Sequence, residues 1–135
     1  MLKSLFISSF VIIDQTTVDF DEGMTALTGE TGAGKSIIIN ALEQLCGARA
    51  SSSLVRKGSK KAVIEGVFDM NESIYTILDE LNIDSDDDLV ITKEILDNGR
   101  STIKINYRTV TNSALKQVAP YLLDIHSQYQ TQEIF

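Results

Sequence analysis

One cysteine, one proline and one histidine occur in 135 residues, and no apolar run is long. A lone thiol, Cys46, rules out a disulfide within the chain and is consistent with a reducing cytosol. A lone imidazole, His126, needs a partner geometry to act as a general base, so the plain reading is a packed structural histidine. Basic residues are also scarce: 12 against 19 acidic ones, for a net charge of −7. An acidic chain is not a general polyanion binder, so any nucleic-acid contact has to be local. The most apolar stretch, LFISSFVII from Leu5 to Ile13, follows Lys3. It is far short of the roughly 20 residues that span a bilayer. No small-x-small cleavage site follows it, only Asp14, Gln15, Thr16 and Thr17, so it reads as a buried strand rather than a secretory signal.

What remains is ordinary globular composition, with 43% hydrophobic and 23% charged residues. A chain of this length forms one domain and can bury roughly two-thirds of its unfolded surface. Residues 2–13 and 17–20 read as strands around a turn at Asp14 and Gln15, and 24–28 as a third short strand. The segment 29–34 reads as a loop. From Lys35 the pattern is helical, with Ile38, Ala41, Leu42 and Leu45 on one face, Ile37 and Ile39 widening it, and Gly47 as the stop. Residues 48–59 are polar and irregular. Lys61 to Met70 alternates: Ala62, Ile64, Gly66 and Phe68 face one way, Val63, Glu65, Val67 and Asp69 the other. Asn71 to Leu81 carries a helical stripe of Ile74, Ile77, Leu78 and Leu81. Leu89–Leu96 and Ser101–Tyr107 are expected as strands of a hairpin closed by Asp97-Asn98-Gly99. A helix is expected from Thr111 to about Ala119, ended by Pro120, and the apolar run 121–125 then reads as a short strand.

The chemistry lies in Gly29-Glu30-Thr31-Gly32-Ala33-Gly34-Lys35-Ser36, which fits the phosphate-binding pattern G-x-x-x-x-G-K-[ST]. Glycines let the backbone close round a phosphate, where side chains would obstruct it. Successive N–H groups then form an anion nest, and the following helix adds its positive end. Lys35 is placed to reach the β- and γ-phosphates, and the Ser36 hydroxyl to ligate Mg²⁺. A chance glycine-rich turn would not need a strand before it and a helix after it; this pattern has both.

Holding phosphates does not complete hydrolysis, which also needs a carboxylate for Mg²⁺ and a group that orients water. Two apolar runs end in an acid, Val67-Phe68-Asp69 and Tyr121-Leu122-Leu123-Asp124. Asp124 is the better candidate of the two, and a solvated strand end explains either equally well.

The whole pattern is similar to a known group. The opening, MLKSLFISSFVIIDQTTVDFDEGMTALTGETGAGKS, resembles the N-terminal segment of SMC-like ABC-type ATPase heads. GETGAGKSIIINALEQLCGARA, then VRKG, and LLDIHSQYQTQ at the end resemble the RecN type of that group, so the likeness covers nearly the whole chain. The resemblance implies an α/β P-loop NTPase fold: the N-terminal part (1–135) of an ABC-ATPase-like head lobe with a mixed or antiparallel sheet. It implies that a coiled coil and a C-terminal lobe with the signature motif and two late acids lie outside these residues. It implies ATP and Mg²⁺ as ligands and assigns Gly29, Gly34, Lys35 and Ser36 to them. Gln128 becomes the glutamine that contacts Mg²⁺ and the attacking water. Ser127 and Tyr129 stand where the family often has Gly and His, which leaves Gln130 and Gln132 as rivals. Asp124 is then not the metal aspartate. The resemblance further implies that two heads sandwich two ATP molecules in a homodimer and that hydrolysis drives cytoplasmic, nucleoid-associated work on DNA double-strand breaks, with no membrane involved.

Other features have plainer explanations. Arg56, Lys57, Lys60 and Lys61 fit a DNA-phosphate contact or, better for so acidic a chain, a solvated loop. Arg49 of GARA is read equally as a nucleotide or DNA contact and as a surface arginine. Asp84, Asp86, Asp87 and Asp88 lack the glycine and late glutamate of a calcium loop. Two other classes stay open: a complete small kinase using Asp124 for Mg²⁺, and a non-catalytic nucleotide-sensing or dimerisation module. Only four arginines, with no arginine-rich lid, weigh against the kinase.

Overall fold

The computed structural model describes residues 2–19 and 32–127, with side chains described up to 122 and, in the first helix, from 36. The strand expected at 24–28, the motif residues Gly29, Glu30 and Thr31, and Gln128, Gln130 and Gln132 lie outside them. Among the described residues the elements are β1 (Leu2–Phe10), β2 (Ile13–Asp19), α1 (Gly32–Leu45), a 3₁₀ turn (Ser52–Leu54), β3 (Lys61–Asp69), α2 (Glu72–Glu80), β4 (Asp88–Leu96), β5 (Ser101–Ile105), β6 (Arg108–Val110) and α3 (Asn112–Ser127). The six strands form one sheet in the order β2-β1-β3-β4-β5-β6, and every pairing is antiparallel.

Strand alternation decides what the sheet buries. In β3, Ala62, Ile64, Gly66 and Phe68 are all buried, while Val63, Glu65 and Val67 are only partly covered. That is the division expected from the period of two. Register carries the same face across the sheet. Leu5, Gly66, Ile91 and Ile105 form one row, and Ile7, Ile64, Lys93 and Ile103 the next. Each fully buried Leu, Ile or Phe contributes about 1.5–3 kcal/mol over its exposed state. Lys93 is the charged exception in its row.

The helices pack on this face. Gly66 leaves room for α1: a Cβ built on it would come 2.7 Å from Leu45 Cδ1. The buried stripe of α1 is Ile37, Ala41, Leu42, Gln44 and Leu45, with Ile38 only partly buried. The stripe therefore centres on Ile37 rather than Ile38. In α2 the stripe is Ile74, Ile77 and Leu78, and the Asn71 side chain caps the start by accepting from Ile74 N at 2.9 Å.

Three local expectations are corrected. The first turn falls at Val11-Ile12, not at Asp14-Gln15, and Asp14 lies within β2. Tertiary pairing sets it: Val11 N donates to Leu54 O and Arg56 N donates to Ser9 O, both at 2.8 Å, while Phe10 bridges Val55. These contacts hold Ser9 and Val11 at φ 52° and 54°, a region β-branched residues avoid. Second, the strand from Ser101 stops at Ile105. Asn106 and Tyr107 turn with φ 51° and 69°, and β6 follows. Asn106 stabilises this turn through its side chain, which accepts from Val90 N at 3.0 Å and donates to Asp84 O at 2.8 Å.

Third, Pro120 does not end its helix; α3 runs through it to Ser127, so 121–125 is helical rather than a strand. The apolar stripe explains the continuation. Leu115, Val118, Ala119 and Leu122 are all buried, at the i, i+3, i+4, i+7 spacing that spans the proline. Pro120 itself is exposed. Elsewhere the expected elements hold: β3, α2, β4 and the Asp97-Asn98-Gly99 hairpin, where Gly99 takes φ 90°.

Candidate nucleotide-binding site

The phosphate-binding pattern meets the fold at the N-terminus of α1. The helical backbone begins at Gly32, inside the pattern and three residues before Lys35, so 32–34, expected as part of a loop, are helical. Ser36 is exposed in the next turn. The first turn holds no acidic residue, so nothing charged there opposes an anion at the positive end of the helix. This arrangement fits a phosphate with a cation beside it. Glycines at 32 and 34, an exposed hydroxyl at 36 and unopposed helix N–H groups are the donor set such a ligand needs.

The rest of α1 is held rigidly, and that fixes where its N-terminus points. The helix ends in a Schellman turn: Ala48 N donates to Glu43 O at 3.1 Å and Gly47 N to Gln44 O at 3.3 Å, with Gly47 at φ 99°. Gly47 is thus the stop that the sequence announces. Lys93 of β4 closes the same end. Its side chain is 1% exposed, and Nζ donates to Ala48 O at 2.7 Å and Gln44 O at 3.3 Å. A cation is favoured here because the carbonyl end of a helix is its negative pole. Burial costs the ammonium hydration and lowers its pKa from 10.5 to about 8. From α3, Asn112 Nδ2 donates to Gly47 O at 3.4 Å. Gln44, buried beneath, donates from Nε2 to Arg49 O at 3.1 Å, while its Oε1 finds no hydrogen-bond partner among the described residues. Cys46 sits beside this turn. Burial first, then Glu43, pushes its thiol up to about 12, which disfavours the reactive thiolate.

Lys93 is the residue that sequence reasoning missed. The signal was present: in β4, Leu89, Ile91, Lys93 and Ile95 share one face by alternation, and the other three are fully buried. A lysine in register with three core residues has to be buried and paired.

The remaining candidates are placed as follows. Asp69 is an exposed strand end, 4.0 Å from Lys3 Nζ. Asp124 and His126 lie on the helical backbone of α3. Asp124 therefore does not terminate a strand, which removes the context that the kinase alternative required. Arg56 pairs with Asp14 at 3.7 Å and Lys61 with Glu94 at 3.6 Å, so the four cations are divided rather than focused. Asp84 pairs with Arg108 at 2.9 Å and Asp88 with Lys3 at 3.1 Å.

A family model described as an AAA domain matches residues 4–134. The chain is 44% identical over 135 residues to the DNA repair protein RecN of Bacillus subtilis (strain 168), covering 98% of this chain and 23% of that protein. It is 42% identical to the DNA repair protein RecN of Halalkalibacterium halodurans, covering 99% of this chain and 24% of that protein. The chain thus spans about a quarter of the length of these curated relatives. Among solved structures, one from work on ATP-driven dimerization and DNA-stimulated activation of SMC ATPases superposes with a TM-score of 0.69 at 24% identity. The match covers 87% of this chain and 76% of that one, and shows a shared fold. The chain belongs to the AAA domain family and, over nearly all of its length, is similar to proteins named DNA repair protein RecN.

Proposed function

We propose that this chain is the ATP-binding N-terminal part of a RecN-like ATPase head that acts in repair of DNA double-strand breaks and in recombination. One observation carries the reading. The phosphate-binding pattern lies at the N-terminus of α1, within a 44% identical match to a DNA repair protein over 98% of the chain. In this reading the backbone of Gly29, Glu30, Thr31, Gly32, Ala33 and Gly34 cradles the ATP phosphates. Lys35 neutralises the outer phosphates, and the Ser36 hydroxyl ligates Mg²⁺. Gln128 orients the attacking water and contacts Mg²⁺. Bound Mg²⁺ supplies charge neutralisation to the leaving phosphates.

The remainder of the active site belongs to the rest of the protein. A coiled coil and a C-terminal lobe supply the signature motif and the late acids, and a second head in a homodimer closes over the nucleotide. The short span relative to the curated relatives supports this division, as does the shared fold with SMC ATPase heads. The protein works in the cytoplasm, on nucleoid DNA. Among the described residues no helix is long and apolar enough to cross a membrane.

Two measurements test the reading. The 135-residue chain should bind ATP with Mg²⁺ and lose that binding on Lys35→Ala, while showing no steady turnover. Turnover by the chain alone that Lys35→Ala abolishes would sink the divided-head account. In cells, Lys35→Ala in the full-length gene should reduce survival after induced double-strand breaks to the level of the gene deletion. Unchanged survival would remove the repair role.

A further inference from the structure

The opposite end of α1 carries a second feature that the ATP reading does not use. A concavity of about 450 Å³ beside β6 and one of about 550 Å³ beside Arg56 each include or adjoin paired charges. The third, of about 370 Å³, is different. It lies between the turn after α1, the β4–β5 hairpin and the start of α3. Arg49, Lys93 and Lys116 line it, with Ser101, Asn112 and Gly99, and no carboxylate does. None of the three cations pairs with a carboxylate among the described residues. In a chain with net charge −7, three cations lining one pocket that no carboxylate lines need an explanation.

Helix capping accounts for only one of them. The carbonyl end of α1 repels anions, and Lys93 cancels that by donating to Gln44 O and Ala48 O. Arg49 and Lys116 are then surplus. The Lys116 stem packs over Gly47: its Cγ would lie 2.8 Å from a Cβ built there. The main chain of Arg49 is tied down as well, by the Gln44 side chain. Ser101 adds a hydroxyl donor at the rim.

We infer that this pocket binds a phosphate-class oxyanion, with Arg49 and Lys116 as its charged ligands, Ser101 as a neutral donor and Lys93 as the buried cation beneath. The site is distinct from the phosphate-binding loop. It lies at the other end of a 14-residue helix, about 20 Å away at 1.5 Å rise per residue. It does not depend on the ATP reading. The phosphate can come from a free small molecule or from a nucleic-acid backbone, and the chemistry of recognition is the same.

The test is a titration of the isotope-labelled 135-residue chain with inorganic phosphate at constant ionic strength, read from backbone amide NMR shifts. Lys35→Ala is introduced first, so that the phosphate-binding loop is disabled. Saturable shifts are expected at Gly47, Ala48, Gly99 and Ser101. Arg49→Gln and Lys116→Gln, both at exposed positions, should each weaken binding about tenfold. Shifts that chloride reproduces equally, or unaltered affinity in both variants, would overturn the proposal. Addition of a short DNA duplex then separates the two sources. Displacement of phosphate from these amides identifies a nucleic-acid backbone as the source, and retention identifies a small phosphate ligand.

Discussion

Lys93 Nζ donates to the carbonyl oxygen of Ala48 at 2.7 Å, joining the middle of the sheet to the last turn of the helix that carries the phosphate-binding pattern. A strand with a fixed register thereby sets the axial position of α1, and with it the position of the helix N-terminus. Lys93→Met should cost about 2–3 kcal/mol, because a buried and a part-buried carbonyl lose a charged donor. Urea denaturation of the two proteins measures this directly. A change within experimental error would show that the carbonyls find other partners.

The same lysine predicts a pH dependence. Its folded pKa, about 8, lies below the unfolded 10.5. Between those values the unfolded chain binds more protons, so the Lys93 contribution to stability rises with pH. Below about pH 8 the penalty for burying the charge is fully present; above 10.5 it is gone. The stability difference between the parent and Lys93→Met should therefore widen from pH 8 to pH 10. A flat difference across that range contradicts the assignment.

Gly66 and Leu45 make the second joint between α1 and the sheet. A methyl group on Gly66 would lie 2.7 Å from Leu45 Cδ1. Gly66→Ala should destabilise by about 1–3 kcal/mol through overpacking. In a Leu45→Ala background the same substitution should cost less, since the closer of the two clashes is gone and only Phe68 Cε1 at 3.0 Å remains. Additive effects in this double-mutant cycle would mean the strain lies elsewhere.

Asn71 caps α2 through a 2.9 Å bond from Ile74 N. Asn71→Ala should cost about 1 kcal/mol. Asn71→Asp should retain most of that stability, because the carboxylate accepts the same bond at the positive end of the helix. Thermal melts of the three proteins decide the matter.

Pro120 lies within α3 on its exposed side. Pro120→Ala restores an N–H and a bond to the carbonyl four residues back. It should raise stability by up to about 3 kcal/mol, the cost of an interior proline. No rise in melting temperature would indicate that the proline's fixed φ already offsets the missing bond.

The sequence by itself determined the elements whose signals are local. The alternation of Lys61–Asp69, the stripe and cap of Glu72–Glu80, the Asn98-Gly99 turn and the Gly47 stop each depend on a few neighbouring residues, and each is where its pattern puts it. The phosphate-binding pattern is equally local, since its chemistry depends on residue types at fixed spacing. Tertiary structure decided the rest. The first hairpin turns at Val11-Ile12 because residues 54–56 bond to its end, some 40 positions away in sequence. The helix passes Pro120 because Leu122 has a buried place to go, which outweighs one missing hydrogen bond. β6 exists because the Asn106 side chain finds Val90 and Asp84. Lys93 is the sharpest case. Alternation put it on the inner face, but only the approach of the α1 carbonyl end gave a buried ammonium the partners that allow it to stay there.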